Sequence, residues 1–156
     1  MLARFIFAIL QFRARRGFID RLPGETRKER ARRTGVRGET YAYWYLRRHG
    51  YTMIARNFTL AHLNGEIDLV GYDGDTLAFI EVKTRDASAP DAARPEDAVN
   101  SQKRSQIARM AAAFVRSRRI NHSSLSTRFD ILAIESRPSV RPTVRLHKGA
   151  FTVPRF

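Results

Sequence analysis

The chain has 156 residues and 43% hydrophobic residues, which is enough to bury a sizeable core and predicts one main domain. It contains no cysteine, which excludes disulfides, cysteine-based metal sites and a cysteine nucleophile. The formal net charge of +14 indicates a polyanionic partner, with nucleic acid first and an anionic membrane surface second.

Residues 1–34 are predicted to form a basic N-terminal arm or a short amphipathic helix plus a linker. An apolar stripe within residues 1–10 is typical of a short helix that docks on protein or, less commonly, on a membrane surface. Ten residues are too few to span a bilayer, and basic residues follow the apolar run, unlike in a signal peptide. We therefore expect a cytoplasmic protein without a transmembrane segment. Residues 20–37 are rich in Arg with interspersed Gly and Pro, which favours a flexible basic arm.

Residues 38–49 are predicted to form the first helix of the domain, which ends before Gly50. Glu39 lies in its first turn, where a carboxylate commonly complements the helix dipole. The alternative is that Glu39 is a further carboxylate directed at the site described below. Residues 51–60 alternate in polarity and predict a strand.

Two strands joined by a tight turn form the most informative part of the chain. Residues 66–72 and 76–84 are strand-like, and Asp73-Gly74-Asp75 between them is typical of a hairpin. A two-residue loop at Gly74-Asp75 places Asp73 opposite Thr76. A loop at Asp73-Gly74 shifts the pairing by two residues but leaves every side chain on the same face.

This hairpin is predicted to place charge on one face and apolar residues on the other. The charged set is Glu66, Asp68, Glu81 and Lys83, and the apolar set is Ile67, Leu69, Ile80 and Val82. Like charges directly across a strand pair destabilise a sheet, whereas a divalent cation would turn the repulsion into coordination. The structural alternative is a solvated sheet face with ion pairs from Lys83 to the two glutamates. Residues 64–83 hold five acids and one base, which is an acidic island in a basic chain.

The rest of the chain predicts a loop over residues 86–95, a long helix from Pro95 to about Arg119, and strands at 129–135 and 143–147. Lys103 falls in the apolar stripe of that helix, where its stem packs inward or its ammonium contacts a phosphate. The order is therefore α-β-β-β-α-β plus a terminal strand, an α/β fold with a mixed central sheet flanked by helices.

These residues resemble the PD-(D/E)xK nuclease fold, with a helix acid, then an Asp, then Glu-x-Lys on the next strand. More closely, the segments are similar to the YraN family of predicted endonucleases, related to archaeal Holliday-junction resolvases. The segments that carry the resemblance are Arg56-Asn57, Gly65-Glu66-Ile67-Asp68-Leu69-Val70, Phe79-Ile80-Glu81-Val82-Lys83-Thr84-Arg85, Arg128-Phe129-Asp130 and Ala150-Phe151. The resemblance implies a restriction-endonuclease-like domain over residues 35–151, followed by a tail at 152–156.

The resemblance also implies a Mg²⁺- or Mn²⁺-dependent endonuclease. Asp68 and Glu81 match the metal-binding acids, the Val82 carbonyl is a further ligand candidate, and Lys83 matches the lysine that orients the attacking water. Glu39 matches the helix acid found in some members, and Ile67 stands where the founding pattern has proline. Nucleic acid, DNA above RNA, is the expected partner, and resolvase relatives suggest a homodimer. The residues expected to contact nucleic acid are Arg37, Arg85, Lys103 and Arg104. The alternatives are a nucleic-acid-binding module that does not cut and a basic membrane-surface protein.

Overall fold

The computed structural model describes residues 2–15, 22–86, 100–121, 126–137 and 139–152. Three helices and five strands lie within these ranges. The helices are α1 (Leu2–Arg15), α2 (Arg27–Arg48) and α3 (Ser101–Ser117). The strands are β1 (Thr52–Leu60), β2 (Leu63–Asp73), β3 (Thr76–Asp86), β4 (Ser126–Ser136) and β5 (Thr143–Phe151).

The five strands form one mixed sheet in the order β1-β2-β3-β4-β5. Only β3 and β4 run parallel, and the connection between these two strands contains α3. The other neighbours are antiparallel. The predicted α/β class, element order and mixed sheet are confirmed, and the arrangement is compatible with a restriction-endonuclease-like fold.

The hairpin register follows the two-residue loop at Gly74-Asp75. Asp73 pairs with Thr76, and the pairing continues to Leu69 with Ile80, as predicted from the first of the two loop choices. Gly74 has a φ of 59°, a left-handed conformation that glycine adopts without strain. The turn chemistry therefore sets the alignment of β2 against β3.

Helix α2 begins eleven residues before its predicted start at Gly38, so the flexible basic arm predicted for residues 20–37 is wrong from Arg27 onward. Thr26 and Glu29 form a reciprocal capping box, in which each side chain accepts the other's backbone N–H. Arg33 donates to Glu25 at 2.6 Å and ties the helix to the preceding turn. These local bonds outweigh the cost of Gly35 within the helix.

Helices cover both faces of the sheet, and the sheet separates the core into two layers. On one face, Phe7 of α1 and Tyr41 and Leu46 of α2 are buried against the sheet. On the other, Met110 and Phe114 of α3 belong to the second buried cluster. The predicted loop at residues 86–95 and the start of the long helix at 95–99 lie almost wholly outside the described residues, and α3 is first described from its N-cap, Asn100.

One close approach between helix and sheet depends on a missing side chain. Gly38 of α2 is buried against Thr84 of β3, and a Cβ atom at position 38 would lie 1.9 Å from Thr84 Oγ1. Gly35, one turn earlier in the same helix, has nothing within 4 Å of the equivalent position. The two glycines therefore separate the steric requirement at this contact from the general effect of glycine on helix stability.

We expect Gly38→Ala to lower the free energy of unfolding by about 1–3 kcal/mol, because the new methyl group forces α2 away from β3. Gly35→Ala, the matched control, should raise it by about 0.5–1 kcal/mol, since alanine stabilises a helix interior. Urea unfolding followed by circular dichroism measures both. If both variants gain stability, the close packing of α2 on Thr84 is not present in solution.

Candidate active site

Strand β2 changes face at Asp68. Leu69 packs in the α2 layer, whereas Ile67, two residues earlier, packs in the α3 layer. Residues two apart share a face in a regular strand. In β1, Asn57 lies between the residues paired with these two and has a φ of 47°. The prediction that Ile67 and Leu69 share one apolar face is therefore wrong, because the strand pair is irregular at Asp68 and Asn57.

Asp68 is only 7% exposed, and its carboxylate links β2 to β3. Its Oδ2 accepts the backbone N–H of Val82 at 2.7 Å. The regular β2–β3 pairing ends at Leu69 and Ile80, so this side chain replaces a carbonyl as partner of that N–H. The irregularity thus turns Asp68 toward β3 next to Glu81.

Glu81 is 4% exposed and receives two lysines on one oxygen. Lys83 Nζ lies 2.8 Å and Lys103 Nζ 3.2 Å from Glu81 Oε1. Glu81 Oε2 is buried and has no hydrogen-bond partner among the described residues. The structure therefore brings Asp68, Glu81 and Lys83 together and adds Lys103 from α3.

Lys103 extends from the apolar stripe of α3 toward the sheet. Its ammonium makes an ion pair with Glu81, and its side chain remains one quarter exposed. A buried carboxylate requires compensation by positive charge or hydrogen bonds, and α3 supplies part of it. A role for Lys103 in binding nucleic acid stays a prediction.

Glu39 reaches the same region from α2 without joining the ion pairs. Its Oε2 accepts a hydrogen bond from Asn57 Nδ2 at 2.7 Å. Its negative charge is among the causes that raise the pKa of Asp68. Among the residues that the structure describes, no three or more His, Cys, Asp or Glu side chains are grouped to hold a metal ion. The electrostatic site therefore consists of two buried acids with a third nearby.

The pKa of Asp68 is raised to about 7. Burial is the largest cause, followed by the negative charge of Glu81, while the Val82 N–H and Lys103 act in the opposite direction. The protonated form of Asp68 is therefore present near neutral pH, and any bound cation would favour the ionised form.

A polar groove of about 380 Å³ lies beside Lys103. Its wall is built by Gln106, which donates to the Asn64 carbonyl at 3.0 Å and packs against Gly65. A Cβ at Gly65 would lie 2.5 Å from Gln106 Nε2, and φ at this glycine is 119°. The remaining lining residues are Asn100, Gln102, Lys103 and Arg109. This groove could not be predicted from the sequence, because its two sides come from β2 and α3, which lie far apart in the chain.

The predicted nucleic-acid contacts are dispersed. Arg85 makes an ion pair with Glu135, so the Arg85 guanidinium already has an intramolecular partner. Arg145 lies 2.7 Å from the same Glu135 oxygen. Arg104 is exposed and stacks its guanidinium 5.6 Å from the centre of the Phe151 ring. Arg37 is exposed on α2. A phosphate contact by any of these residues stays a prediction.

A second ionic cluster forms around Arg128 near the hairpin turn. Asp130 is fully buried and accepts from Arg128 Nε at 2.8 Å and from the Gly149 N–H at 2.9 Å. Arg128 also donates to Asp73 at 2.7 Å, and Lys148 donates to the same oxygen at 2.6 Å. These two hydrogen bonds lower the pKa of Asp73 to about 2. Asp73 is therefore an ion-pair partner as well as a turn residue.

Residues 38–134 match the profile of the uncharacterised protein family UPF0102. The chain belongs to the UPF0102 family. This is the family also called YraN, so the resemblance seen in the sequence is confirmed. The matched residues include both buried acids, both lysines of the site, Asn57 and the Arg128-Asp130 pair.

The alignments with curated relatives cover most of each relative's length. A UPF0102 protein of Koribacter versatilis is 42% identical over 120 residues, which are 76% of this chain and 79% of the relative. A UPF0102 protein of Solibacter usitatus is 41% identical over 114 residues, covering 73% and 82%. One from Symbiobacterium thermophilum is 37% identical over 121 residues, covering 78% and 98%.

The raised pKa of Asp68 predicts a stability cost that grows with pH. In the unfolded chain the carboxyl ionises near its ordinary value of about 4, whereas in the folded chain it ionises near 7. The folded state thus holds the extra proton between these values, and stability falls as pH rises through this window. Asp68→Asn, which keeps an acceptor for the Val82 N–H, should be more stable than the parent at pH 8 by on the order of 2 kcal/mol.

That advantage should shrink at pH 5, and thermal unfolding at both pH values measures it. Asp75→Asn in the exposed hairpin turn removes the same charge without burial and serves as the control. Equal effects of the two substitutions at pH 8 would show that Asp68 is not buried with Glu81.

Arg128 is expected to be a structural residue. Arg128→Met would leave the fully buried Asp130 carboxylate without its cation, which typically costs about 3–5 kcal/mol. Arg32→Met on the exposed side of α2 removes the same charge and should change stability by less than about 0.5 kcal/mol. Urea midpoints compare the two variants, and similar midpoints would contradict the buried ion pair.

Proposed function

We propose that this UPF0102 protein is a metal-dependent nuclease that hydrolyses phosphodiester bonds. The proposed substrate is DNA before RNA, and branched DNA before other DNA. The single observation that carries the proposal is Glu81, a buried carboxylate with one oxygen held by two lysines and the other without a hydrogen-bond partner among the described residues. A residue that served only to stabilise the sheet would have both oxygens satisfied, as Asp130 does.

The donor set fits a hard divalent cation such as Mg²⁺ or Mn²⁺. Asp68 and Glu81 supply two carboxylates, and Mg²⁺ is commonly bound by one or two carboxylates with water and phosphate oxygens completing its shell. A cation would also offset the repulsion that raises the pKa of Asp68. When bound, such an ion supplies an activated water and neutralises phosphate charge. The Val82 carbonyl stays a candidate third ligand.

The two lysines have distinguishable roles in this proposal. Lys83 extends from the same strand as Glu81 and is about one third exposed at its side chain, so it can reach a substrate phosphate or orient the attacking water. Lys103 comes from α3 and holds the same Glu81 oxygen that Lys83 contacts. We therefore assign substrate contact to Lys83 and positioning of Glu81 to Lys103.

The polar groove beside Lys103 supports a nucleic-acid substrate. Its lining combines carboxamides with Lys103 and Arg109, groups that bind phosphate and sugar oxygens. Lys103 lines this groove and also pairs with Glu81, so a strand whose scissile phosphate lay at Lys83 would continue along the first turns of α3. The net charge of +14 adds attraction that does not depend on base sequence.

A nucleic-acid-binding module that does not cut is the second candidate. The observation that favours it is the ion pairing of Glu81 by two lysines, which compensates the carboxylate without any metal. In that case Asp68, Glu81 and Lys83 would be structural, and the groove would still hold a nucleic acid.

A cleavage screen tests the proposal. Purified protein with Mg²⁺ or Mn²⁺ should nick branched, flapped, single-stranded or duplex DNA or RNA. Glu81→Gln and Lys83→Met should reduce the rate at least 100-fold, because they remove a ligand candidate and the phosphate-facing amine. Asp75→Asn, in the exposed turn of the same hairpin, should leave the rate unchanged.

Calorimetry with Mn²⁺ separates the two candidates. Metal binding that disappears in Glu81→Gln supports the nuclease. Binding of nucleic acid without metal binding and without cleavage assigns the protein to the non-cutting module. Cleavage by Glu81→Gln and Lys83→Met at the parent's rate would show that the activity comes from a contaminant.

A further inference from the structure

Helix α1 carries a stripe of large apolar side chains that faces solvent. Four of the eight exposed large hydrophobic residues within the described ranges lie on this one helix. Their exposed fractions are 65% for Leu2, 66% for Phe5, 42% for Ile9 and 56% for Phe12. The spacing of three, four and three residues places all four within an arc of about 80°.

The opposite side of α1 is already docked on the domain. Phe7 is 2% and Ala14 is 4% exposed, and the Phe7 ring lies 4.9 Å from that of Tyr41 in α2. At 100° per residue, the direction of these two buried residues is about 170° from the centre of the exposed stripe. The exposed stripe is therefore a second apolar face, distinct from the one that holds α1 on the protein.

Arginines border this stripe on both sides. Arg13 lies next to Leu2 around the helix, and Arg4 and Arg15 lie beyond Phe12 on the other side. All three are exposed. The described part of α1 contains no acidic residue. An apolar stripe with cations on both sides is the arrangement of helices that lie in the interface of an anionic bilayer.

We propose that α1 binds the surface of membranes rich in anionic lipid, with its apolar stripe inserted among the acyl chains and its arginines at the headgroups. The proposal does not rest on nuclease activity. None of the described helices is long and apolar enough to cross a membrane, so the contact is peripheral. Because the stripe and the docked face lie on opposite sides, α1 can stay packed on α2 while it binds lipid.

The competing occupant is a second copy of this chain, and two quantities disfavour it. Four side chains of this size, each about half exposed, offer on the order of 400 Å², whereas a stable interface buries about 800 Å² per partner. The bordering arginines and the net charge of +14 would also repel an identical partner, whereas they attract anionic headgroups.

Vesicle flotation with the full chain tests the proposal. The parent should float with vesicles containing about one third phosphatidylglycerol in phosphatidylcholine and should not float with pure phosphatidylcholine. Because any basic protein binds anionic vesicles at low salt, the deciding comparison is made at about 0.5 M salt, where surface charge is screened. Phe5→Gln with Ile9→Gln should then lower the partition coefficient at least tenfold.

The matched control is Ile54→Gln with Val140→Gln, which removes two exposed apolar side chains of the same class from β1 and the segment before β5. This control should bind vesicles like the parent. Circular dichroism and thermal unfolding should show that both double variants keep the fold, since all four positions are exposed.

The absence of cysteine allows a direct reading of insertion. A single Ile9→Cys labelled with an environment-sensitive fluorophore should shift to shorter wavelength on anionic vesicles, and a labelled Val140→Cys should not. Equal flotation of the parent and Phe5→Gln/Ile9→Gln would overturn the proposal by showing that binding is purely electrostatic. A dimer in sedimentation equilibrium that this double variant dissociates, without vesicle binding by the parent, would also overturn it and assign the stripe to a second copy.

Discussion

The structure depends on holding two carboxylates, Asp68 and Glu81, next to each other and away from water. Their mutual repulsion and their desolvation oppose folding. These costs are offset by one backbone N–H, one lysine from β3 and one lysine from α3. This compensation is incomplete, because one Glu81 oxygen has no hydrogen-bond partner among the described residues. Three features lie around these two acids: the sheet irregularity, the packing of α3 and the hydrogen bond from Asn57 to Glu39.

The ionic clusters around Asp130 and Glu81 differ in how completely the buried carboxylate is hydrogen-bonded. Asp130 is more deeply buried than Glu81, yet both its oxygens accept hydrogen bonds from Arg128, and one also accepts from Gly149. Such a group is stable and leaves no capacity to bind anything else. Glu81 keeps one buried oxygen without a hydrogen-bond partner among the described residues, and its ion-pair partner Lys103 lines the polar groove.

Much of the fold could be predicted from local rules. The Asp-Gly-Asp turn fixes the hairpin register, and alternation then places Glu81 and Lys83 on one face of β3. Thr26 and Glu29 form a capping signature at the start of α2, whereas the Arg-rich composition and Gly35 of the same segment favour a flexible arm. The change of face at Asp68, the contact of Lys103 with Glu81 and the groove formed by Gln106 could not be predicted. Each depends on where elements distant in sequence pack, and no period within a single element encodes that.

The absent side chain at Gly38 couples the packing of α2 on β3 to the buried acids. Glu39 follows directly, so the depth at which α2 settles on β3 also sets how near that carboxylate comes to Asp68. A bulkier residue at position 38 would therefore need a smaller one at position 84 to keep α2 at the same distance from β3. A substitution at position 38 alone would therefore change the electrostatic environment of Asp68 without altering any residue that contacts it.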